Sequence, residues 1–337
     1  MTLAKTESTT TTDQSGAVGR RRFGGWLSAE NQVLVWCLLW FLAAIPLTPG
    51  LTSSSNISNI FSNLLPLLIV ATGQTIVLIS GGIDLSVTSV MALSSVTGAL
   101  VMSGDQGLLG GSAWAAPAGV AAMLLTGSLI GWLNGAAITR LKMPPFIVTL
   151  TTMMFFSGLA IWLTKSKTIY NLPASFIAIG SGGLLFLPYA LLVTILLVVA
   201  AHVLLSRSLA GRWLYACGHN LRAAEISGVP VGRTITRAYV SSGFCAAVAA
   251  VLYTSRLETG SPVLGQRLLL DVIGAAVIGG ASLFGGRGKV AWTIYGALFL
   301  TLIDNTLNLA GQSHFTIMMV KGGVILLAAL LDVLRRR

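Results

Sequence analysis

Ten long apolar stretches, separated by short polar connections, constrain this chain more than any other feature of its sequence. A helix needs about 20 mostly apolar residues to cross a bilayer, whose hydrocarbon core accepts only backbones that satisfy their own hydrogen bonds. The sequence therefore predicts an all-α integral membrane protein with about ten transmembrane helices. The stretches cover residues 32–48, 61–80, 85–103, 114–138, 146–164, 184–205, 237–255, 268–283, 290–309 and 316–334.

The composition agrees with a chain whose main solvent is lipid. The mean hydropathy is +0.83, and only 9% of the residues are charged, against about a quarter in soluble domains. The net charge of +11 does not indicate nucleic-acid binding. The basic residues occupy short connections between apolar stretches, as expected for a membrane protein, so nucleic acid is excluded as a partner.

The distribution of lysine and arginine predicts the orientation of the helices, because cytoplasmic connections are enriched in these residues. With the N-terminus inside, sixteen basic residues fall on the cytoplasmic side, four fall outside and Lys321 lies within the last stretch. This bias predicts ten spans with both termini in the cytoplasm. The outer basic residues are Lys165, Lys167, Arg256 and Arg267.

Residues 1–30 are polar and include the basic cluster Arg20–Arg22. We expect a disordered cytoplasmic N-terminal tail here. We expect this tail to stay uncleaved rather than to act as a signal peptide, because a full-length apolar stretch and nine more follow it. Residues 31–337 form the predicted transmembrane domain, and residues 206–237 form its longest cytoplasmic loop.

Side chains that bind metals or perform catalysis show no recognisable spacing, so we predict no metal, no cofactor and no catalytic residue. The one Gly-Lys pair, Gly288-Lys289, is not a phosphate-binding loop, because Leu283 replaces the first glycine and Val290 replaces the Ser or Thr. ATP must therefore bind to a partner if it drives this protein. The cysteines and histidines are Cys37, Cys217, Cys245, His202, His219 and His314.

The long cytoplasmic loop contains a predicted short helix at residues 220–227, with Asn220 as its N-cap. Gly228 is the expected residue after the C-cap, and Pro230 stops the helix. Such a helix can dock into a groove of another protein or simply form a solvated connection. Periodicity alone does not decide between these two interpretations.

Polar residues inside apolar stretches are costly and are therefore candidates for function. Asp84 follows two glycines and has two interpretations, an N-cap of the third span or a group that lines a transport path. Asp271 begins another span and allows the same two interpretations. Asp304 and Asn308 are four residues apart and share a helix face, where they can bind sugar hydroxyls or form interhelical hydrogen bonds. Lys321 is a candidate ion-pair partner for Asp304. The candidates for a translocation path or gate are Gln74, Gly81, Gly82, Asp84, Asp271, Asp304, Asn305 and Asn308.

Five segments in order along residues 60–337 carry a family resemblance. Residues 80–93 read SGGIDLSVTSVMAL, 143–160 read MPPFIVTLTTMMFFSGLA, and 270–290 read LDVIGAAVIGGASLFGGRGKV. Residues 211–233 of the cytoplasmic loop and the final segment from Asp304 complete the set. Together they resemble the permease subunits of ribose-type ATP-binding cassette (ABC) sugar importers, within the branched-chain amino acid and sugar permease family.

The resemblance implies a permease of the type II importer architecture, located in the bacterial inner membrane. It implies that the chain forms the translocation pathway for a monosaccharide, ribose-like or related, with a second identical or paralogous permease. A periplasmic sugar-binding protein would deliver the cargo, and a cytoplasmic ABC ATPase would hydrolyse ATP. The loop helix would then be the coupling helix that contacts the ATPase, with Arg222 and Glu225 as its polar contacts. The coupling-loop residues are Gly218, Asn220, Arg222, Glu225 and Gly228.

Departures from the family pattern concern the cargo rather than the fold. Thr88 stands where a glycine is usual, and residues 268–270 are three leucines where Tyr-Glu-Leu is common. A permease for a hexose, a polyol or a signalling sugar is therefore an alternative. A secondary transporter with its own ion coupling is a second alternative, and a membrane-embedded enzyme is a third. The lack of a catalytic cluster argues against the enzyme.

Overall fold

The computed structural model describes residues 32–185 and 187–334. The predicted N-terminal tail and the last three arginines lie outside the described residues. The described part is helical apart from its connections, one 3-10 turn at Gln266–Leu268 and an antiparallel pair of two-residue strands. The helices are α1 (Gln32–Ala44), α2 (Ser54–Ile79), α3 (Val87–Met102), α4 (Ala115–Arg140), α5 (Pro145–Thr164), α6 (Ala174–Ser181), α7 (Tyr189–Arg207), α8 (Leu209–His219), α9 (Leu221–Ile226), α10 (Val231–Leu257), α11 (Leu269–Ile278), α12 (Val290–Leu309) and α13 (His314–Leu334).

Among the described residues, six helices are long and apolar enough to cross a membrane: α2, α4, α5, α7, α10 and α12. Helices α1, α3 and α13 are also apolar, but their apolar parts have only 10–17 residues. The predicted span 268–283 contains only the ten-residue helix α11. The predicted helical membrane architecture is thus confirmed in its main features. The count of ten spans and the cytoplasmic location of the termini stay predictions.

Helices α2 and α10 form the centre of the molecule, and most of their residues are buried. The other helices surround this pair, and α4 lies closest to α10. Glycines on α4 make that approach possible, because a Cβ on Gly127 would collide with the carbonyl oxygen of Gly243, and one on Gly131 with that of Tyr239. Close helix packing through small residues is typical of membrane proteins.

The connections gather at two opposite ends of the bundle. One end carries α8, α9, the break between α2 and α3, and the loop between α11 and α12, which share hydrogen bonds and close backbone contacts. The other end carries the start of α2, the end of α12 and the bridge between Ile169 and Gly260. We call the first of these the α9 end. We call the second the hairpin end, because the strand pair β1 (Gly183–Leu184) and β2 (Leu187–Pro188) lies in a connection there.

Three local features differ from the sequence expectation. Helix α6 and the strand pair occupy a segment that was predicted as a connection and the start of a span. Helix α10 begins at Val231 rather than near residue 237, because Pro230 can occupy the position before a helix start but not its interior. The predicted loop 206–237 is therefore mostly helical, with α8 and α9 in its middle.

Candidate functional site

A non-helical segment of seven residues, 80–86, interrupts the path from α2 to α3 at the α9 end. Asp84 lies in this segment and is completely buried. Its Oδ1 accepts hydrogen bonds from the Ser86 backbone N–H at 3.0 Å and from the Ser86 hydroxyl at 2.6 Å. Its Oδ2 accepts one from the Ser242 hydroxyl on α10 at 2.8 Å. The carboxylate therefore links this segment to α10 at the centre of the bundle.

Side chains from α4, α5 and a second position on α10 hold the same segment. Asn134 of α4 donates to the Ser86 hydroxyl at 2.8 Å. Thr149 of α5 donates to the Ile83 carbonyl at 3.2 Å, and Tyr239 of α10 donates to it at 3.3 Å. Because these contacts come from α4, α5 and α10, long-range packing holds the segment in addition to its own local hydrogen bonds.

Gln74 of α2 belongs to this network as well. In the amide orientation that satisfies both of its polar atoms, Nε2 donates to the Asp84 carbonyl at 3.0 Å and Oε1 accepts from the Asp84 N–H at 3.3 Å. The structure thus brings together three predicted candidates, Gln74, Gly82 and Asp84, in the buried interior. Gly81, the fourth residue of this group, is exposed and has a positive φ of 85°.

Of the two interpretations of Asp84, the one that makes it the N-cap of the third span is wrong. The N-cap of α3 is Ser86, and its side chain makes no capping hydrogen bond. Asp84 lies two residues earlier and accepts the Ser86 N–H in a local turn, which the adjacent Gly81 and Gly82 allow. The sequence does not identify Ser242 and Asn134 as hydrogen-bond partners of this segment, because a serine or asparagine within an apolar helix can have many roles.

A charged cluster near the hairpin end joins α11, α12 and α13. Lys321 Nζ contacts Asp271 Oδ2 at 2.8 Å and Asp304 Oδ1 at 2.9 Å. The side chain of Lys321 is 15% exposed and that of Asp304 is 41% exposed. The expected pairing of Lys321 with Asp304 is confirmed, and Asp271 joins the same lysine. One lysine thus faces two carboxyl groups.

Asn305 lies beside this cluster and links α12 to α2. Its amide exchanges two hydrogen bonds with Asn56, both at 2.9 Å. Asn56 also donates to the Leu51 carbonyl at 2.9 Å, so its side chain is fully engaged. Asn56 carries no sequence signal of this role, since it lies among polar residues before an apolar stretch. Asn308, one turn after Asp304, is exposed.

Helix α9 has the limits that its sequence predicts. Asn220 is the N-cap, and its Oδ1 accepts the Ala223 N–H at 3.0 Å. At the other end, the Gly228 N–H donates to the Glu225 carbonyl and the Val229 N–H donates to the Ala224 carbonyl, both at 3.0 Å. Gly228 has a φ of +80°, as expected for the glycine that follows the C-cap in this motif.

The outer face of α9 is both charged and apolar. Arg222 and Glu225 are exposed, whereas Ala224 is buried against the rest of the chain. Ile226 is 81% exposed and Leu221 is 50% exposed. Gly218 lies elsewhere, in the last turn of α8 against the end of α2. The predicted coupling-loop residues thus divide into a surface group and one interior glycine.

The described residues contain no group of three or more His, Cys, Asp or Glu side chains that could hold a metal ion. The three cysteines are buried free thiols.

A bundle of apolar helices that are long enough to cross a membrane, with a short exposed helix in one connection, defines a polytopic membrane protein. The chain belongs to the family described as branched-chain amino acid transport system, permease component, which matches residues 56–329. It is therefore an ABC transporter permease, a multi-pass protein of the inner membrane. No solved structure matches the chain.

Curated relatives match the chain over almost its whole length. It is 36% identical over 319 residues to the ribose import permease protein RbsC of Bacillus subtilis, which covers 93% of this chain and 95% of the relative. It is 33% identical to the protein of the same name in Escherichia coli, over 93% of this chain and 97% of the relative. It is 34% identical to the L-arabinose transport system permease protein AraH of Escherichia coli, over 96% and 97% respectively.

Proposed function

We propose that the chain is the transmembrane permease subunit of an ATP-driven importer for a monosaccharide, ribose-like or related. The similarity to the ribose and L-arabinose permeases over more than nine tenths of the chain carries this proposal. The chain is 36% identical to the ribose permease and 34% identical to the L-arabinose permease. This similarity supports a sugar as the cargo and leaves ribose, arabinose and related sugars as candidates.

ATP hydrolysis belongs to a cytoplasmic ABC ATPase in this proposal, and α9 is the helix that contacts it. The contact combines the charged pair Arg222 and Glu225 with the apolar side chains of Leu221 and Ile226. An isoleucine that is 81% exposed on a short helix outside the apolar spans supports docking into a partner groove. The α9 end is then the cytoplasmic end, in agreement with the charge bias of the sequence.

The polar residues of the bundle take two roles in this proposal. Asp304 and Asn308 retain exposure near the hairpin end, which becomes the periplasmic entrance where a sugar-binding protein delivers its cargo. Gln74 and Asp84 are enclosed at the α9 end, so they support the cytoplasmic side of the pathway as a framework. Asp271 and Asn305 hold the helices of the entrance together. A second permease subunit completes the pathway.

The test is ATPase activity of the purified complex in lipid nanodiscs, with the cognate ATPase, the cognate binding protein and a panel of pentoses, hexoses and polyols. Stimulation by the binding protein loaded with one sugar is expected and identifies the cargo. Ion-dependent sugar uptake by the chain alone, without association with any ATPase, would establish a secondary transporter instead.

The docking surface has its own test. Ile226→Asp should abolish co-purification of the ATPase, because it places a charge at the apolar contact. Leu185→Asp is the matched control, since Leu185 is equally exposed but lies at the hairpin end. Normal co-purification with Ile226→Asp would remove α9 from the ATPase contact.

A further inference from the structure

Three backbone segments meet without intervening side chains at the α9 end of the molecule. They are the end of α2, the last turn of α8 and the glycine-rich loop between α11 and α12 (residues 279–289). The carbonyl of Ile79, the last residue of α2, accepts a hydrogen bond from the Gly286 N–H at 3.0 Å. Gly218 of α8 lies directly against this bond. We call this contact the glycine junction.

Each glycine of the junction is required by geometry. A Cβ on Gly218 would collide with the Ile79 carbonyl oxygen and lie 2.5 Å from the Gly286 nitrogen. Gly285 has a φ of +87°, and a Cβ there would lie 2.8 Å from both the Gly218 oxygen and the Gly81 Cα. The three segments therefore touch through main-chain atoms, which cannot change rotamer to absorb a displacement.

A side-chain hydrogen bond strengthens the same contact one turn earlier in α8. The Tyr215 hydroxyl donates to the Gly288 carbonyl at 2.7 Å. Burial raises the pKa of the Tyr215 phenol, so the hydroxyl keeps its proton and remains the donor at neutral pH. Helix α8 is thus attached to the loop after α11 at two successive turns, through Tyr215 and through Gly218.

The junction lies between the proposed ATPase contact and two non-helical segments, residues 80–86 and 279–289. On one side, a single residue, Asn220, separates α8 from α9. On the other side, α2 continues into residues 80–86, where Asp84 binds α10, and the glycine-rich loop continues into α12. A displacement of α9 that moves α8 is therefore transmitted to residues 80–86 and 279–289 through a direct backbone contact.

We propose that Gly218 is a positioning residue for energy coupling, which transmits movement of α9 through the glycine junction to the non-helical segments 80–86 and 279–289. This inference rests on the proposed function, because it assumes that an ATPase moves α9. It assigns to Gly218 an interior role distinct from the surface contacts of Arg222, Glu225 and Ile226. Coupling here means the amount of sugar transported per ATP hydrolysed.

The test compares Gly218→Ala with Gly232→Ala in the reconstituted complex with its ATPase and binding protein. Gly232 is the matched control, because it is a helical glycine nearby at the start of α10 with room for a methyl group. Gly218→Ala should lower sugar transported per ATP by about tenfold or more while the ATPase still associates, because the added methyl group must push the Ile79 carbonyl and the Gly286 nitrogen away from α8; a misplacement of about 1 Å can cost an enzyme about 100-fold. A purely structural role would instead reduce yield, ATPase activity and uptake in parallel.

Tyr215→Phe is the second variant, because it removes the hydrogen bond to Gly288 without adding an atom. It should lower the same ratio by about two- to tenfold, the range expected for one hydrogen bond. If Gly218→Ala does not accumulate, this variant decides the question. A normal ratio in Tyr215→Phe, or in an assembled Gly218→Ala, would overturn the junction as a relay. The wild-type complex separates this result from failure of the proposed function, since it must first show sugar-stimulated ATP hydrolysis.

Discussion

Asp84 shows how one residue can organise a break between two membrane helices. Its carboxylate accepts three hydrogen bonds, and the segment around it is held by side chains from α2, α4, α5 and α10. Local sequence predicted that a polar residue after two glycines would lie at a helix end. It could not predict the partners, because Ser242 lies 158 positions away and finds Asp84 only through the packing of α10.

Asp84→Ala should destabilise the protein, because it leaves the Ser86 and Ser242 hydroxyls buried without an acceptor. Each orphaned group costs about 1–3 kcal/mol. Thermal unfolding of the purified variant should show a clearly lowered midpoint. Asp105→Ala is the control, since Asp105 accepts one exposed hydrogen bond from Asn171 and its loss should change stability by less than about 0.5 kcal/mol. Equal unfolding midpoints for both variants would contradict the organising role of Asp84.

Lys321 offers a second residue-scale prediction. Lys321→Met leaves Asp271 and Asp304 without their shared cation, and an uncompensated buried charge costs about 3–5 kcal/mol. We expect low yield of this variant in membranes. Combining it with Asp271→Asn and Asp304→Asn removes both negative charges and should restore most of the yield. A triple variant no better than Lys321→Met would show that the lysine acts through something other than this cluster.

Helix α9 is the element that sequence alone predicted best. Its signals are local: an asparagine whose side chain caps the helix and a glycine with positive φ that ends it. Helix α11 is the opposite case, since after Asp271 the stretch to residue 281 stays free of charged and polar side chains although the helix ends at Ile278. Hydropathy reports the environment of a segment and not its backbone conformation. The left-handed Gly280 that follows could therefore not be distinguished from a packing glycine.

Gly228→Ala tests whether the shape of α9 matters for docking. Alanine in the left-handed region costs about 1–2 kcal/mol, so α9 should lose its defined end and bind the ATPase about tenfold less tightly. Gly228→Asn should retain binding, because asparagine tolerates this conformation. Gly111→Ala is the matched control, since Gly111 also has a positive φ and open surroundings but lies in the connection between α3 and α4. Affinity can be measured by titration of the ATPase onto nanodiscs.

At the scale of the whole molecule, the arrangement of connections into two ends makes the proposed topology directly testable. Single cysteines at Leu141 and Ile226 should react with a membrane-impermeant thiol reagent only from the cytoplasmic side. Single cysteines at Leu108 and Leu185 should react only from the outside. All four positions are largely exposed, and the native thiols are buried, so background labelling should be low. Labelling of Leu185→Cys and Ile226→Cys from the same side would exclude the proposed orientation.

The short helices α3 and α11 lie in the interior, whereas α5 and α7 are largely exposed on the outside. Lipid chains therefore meet helices of 20 and 19 residues, whose length of about 30 Å equals the hydrocarbon thickness of a typical bilayer. The half-length α11 is shielded from hydrophobic mismatch by its neighbours. Activity across lipids of increasing acyl-chain length should accordingly be greatest where the bilayer thickness fits α5 and α7, and thinner membranes should not favour the protein.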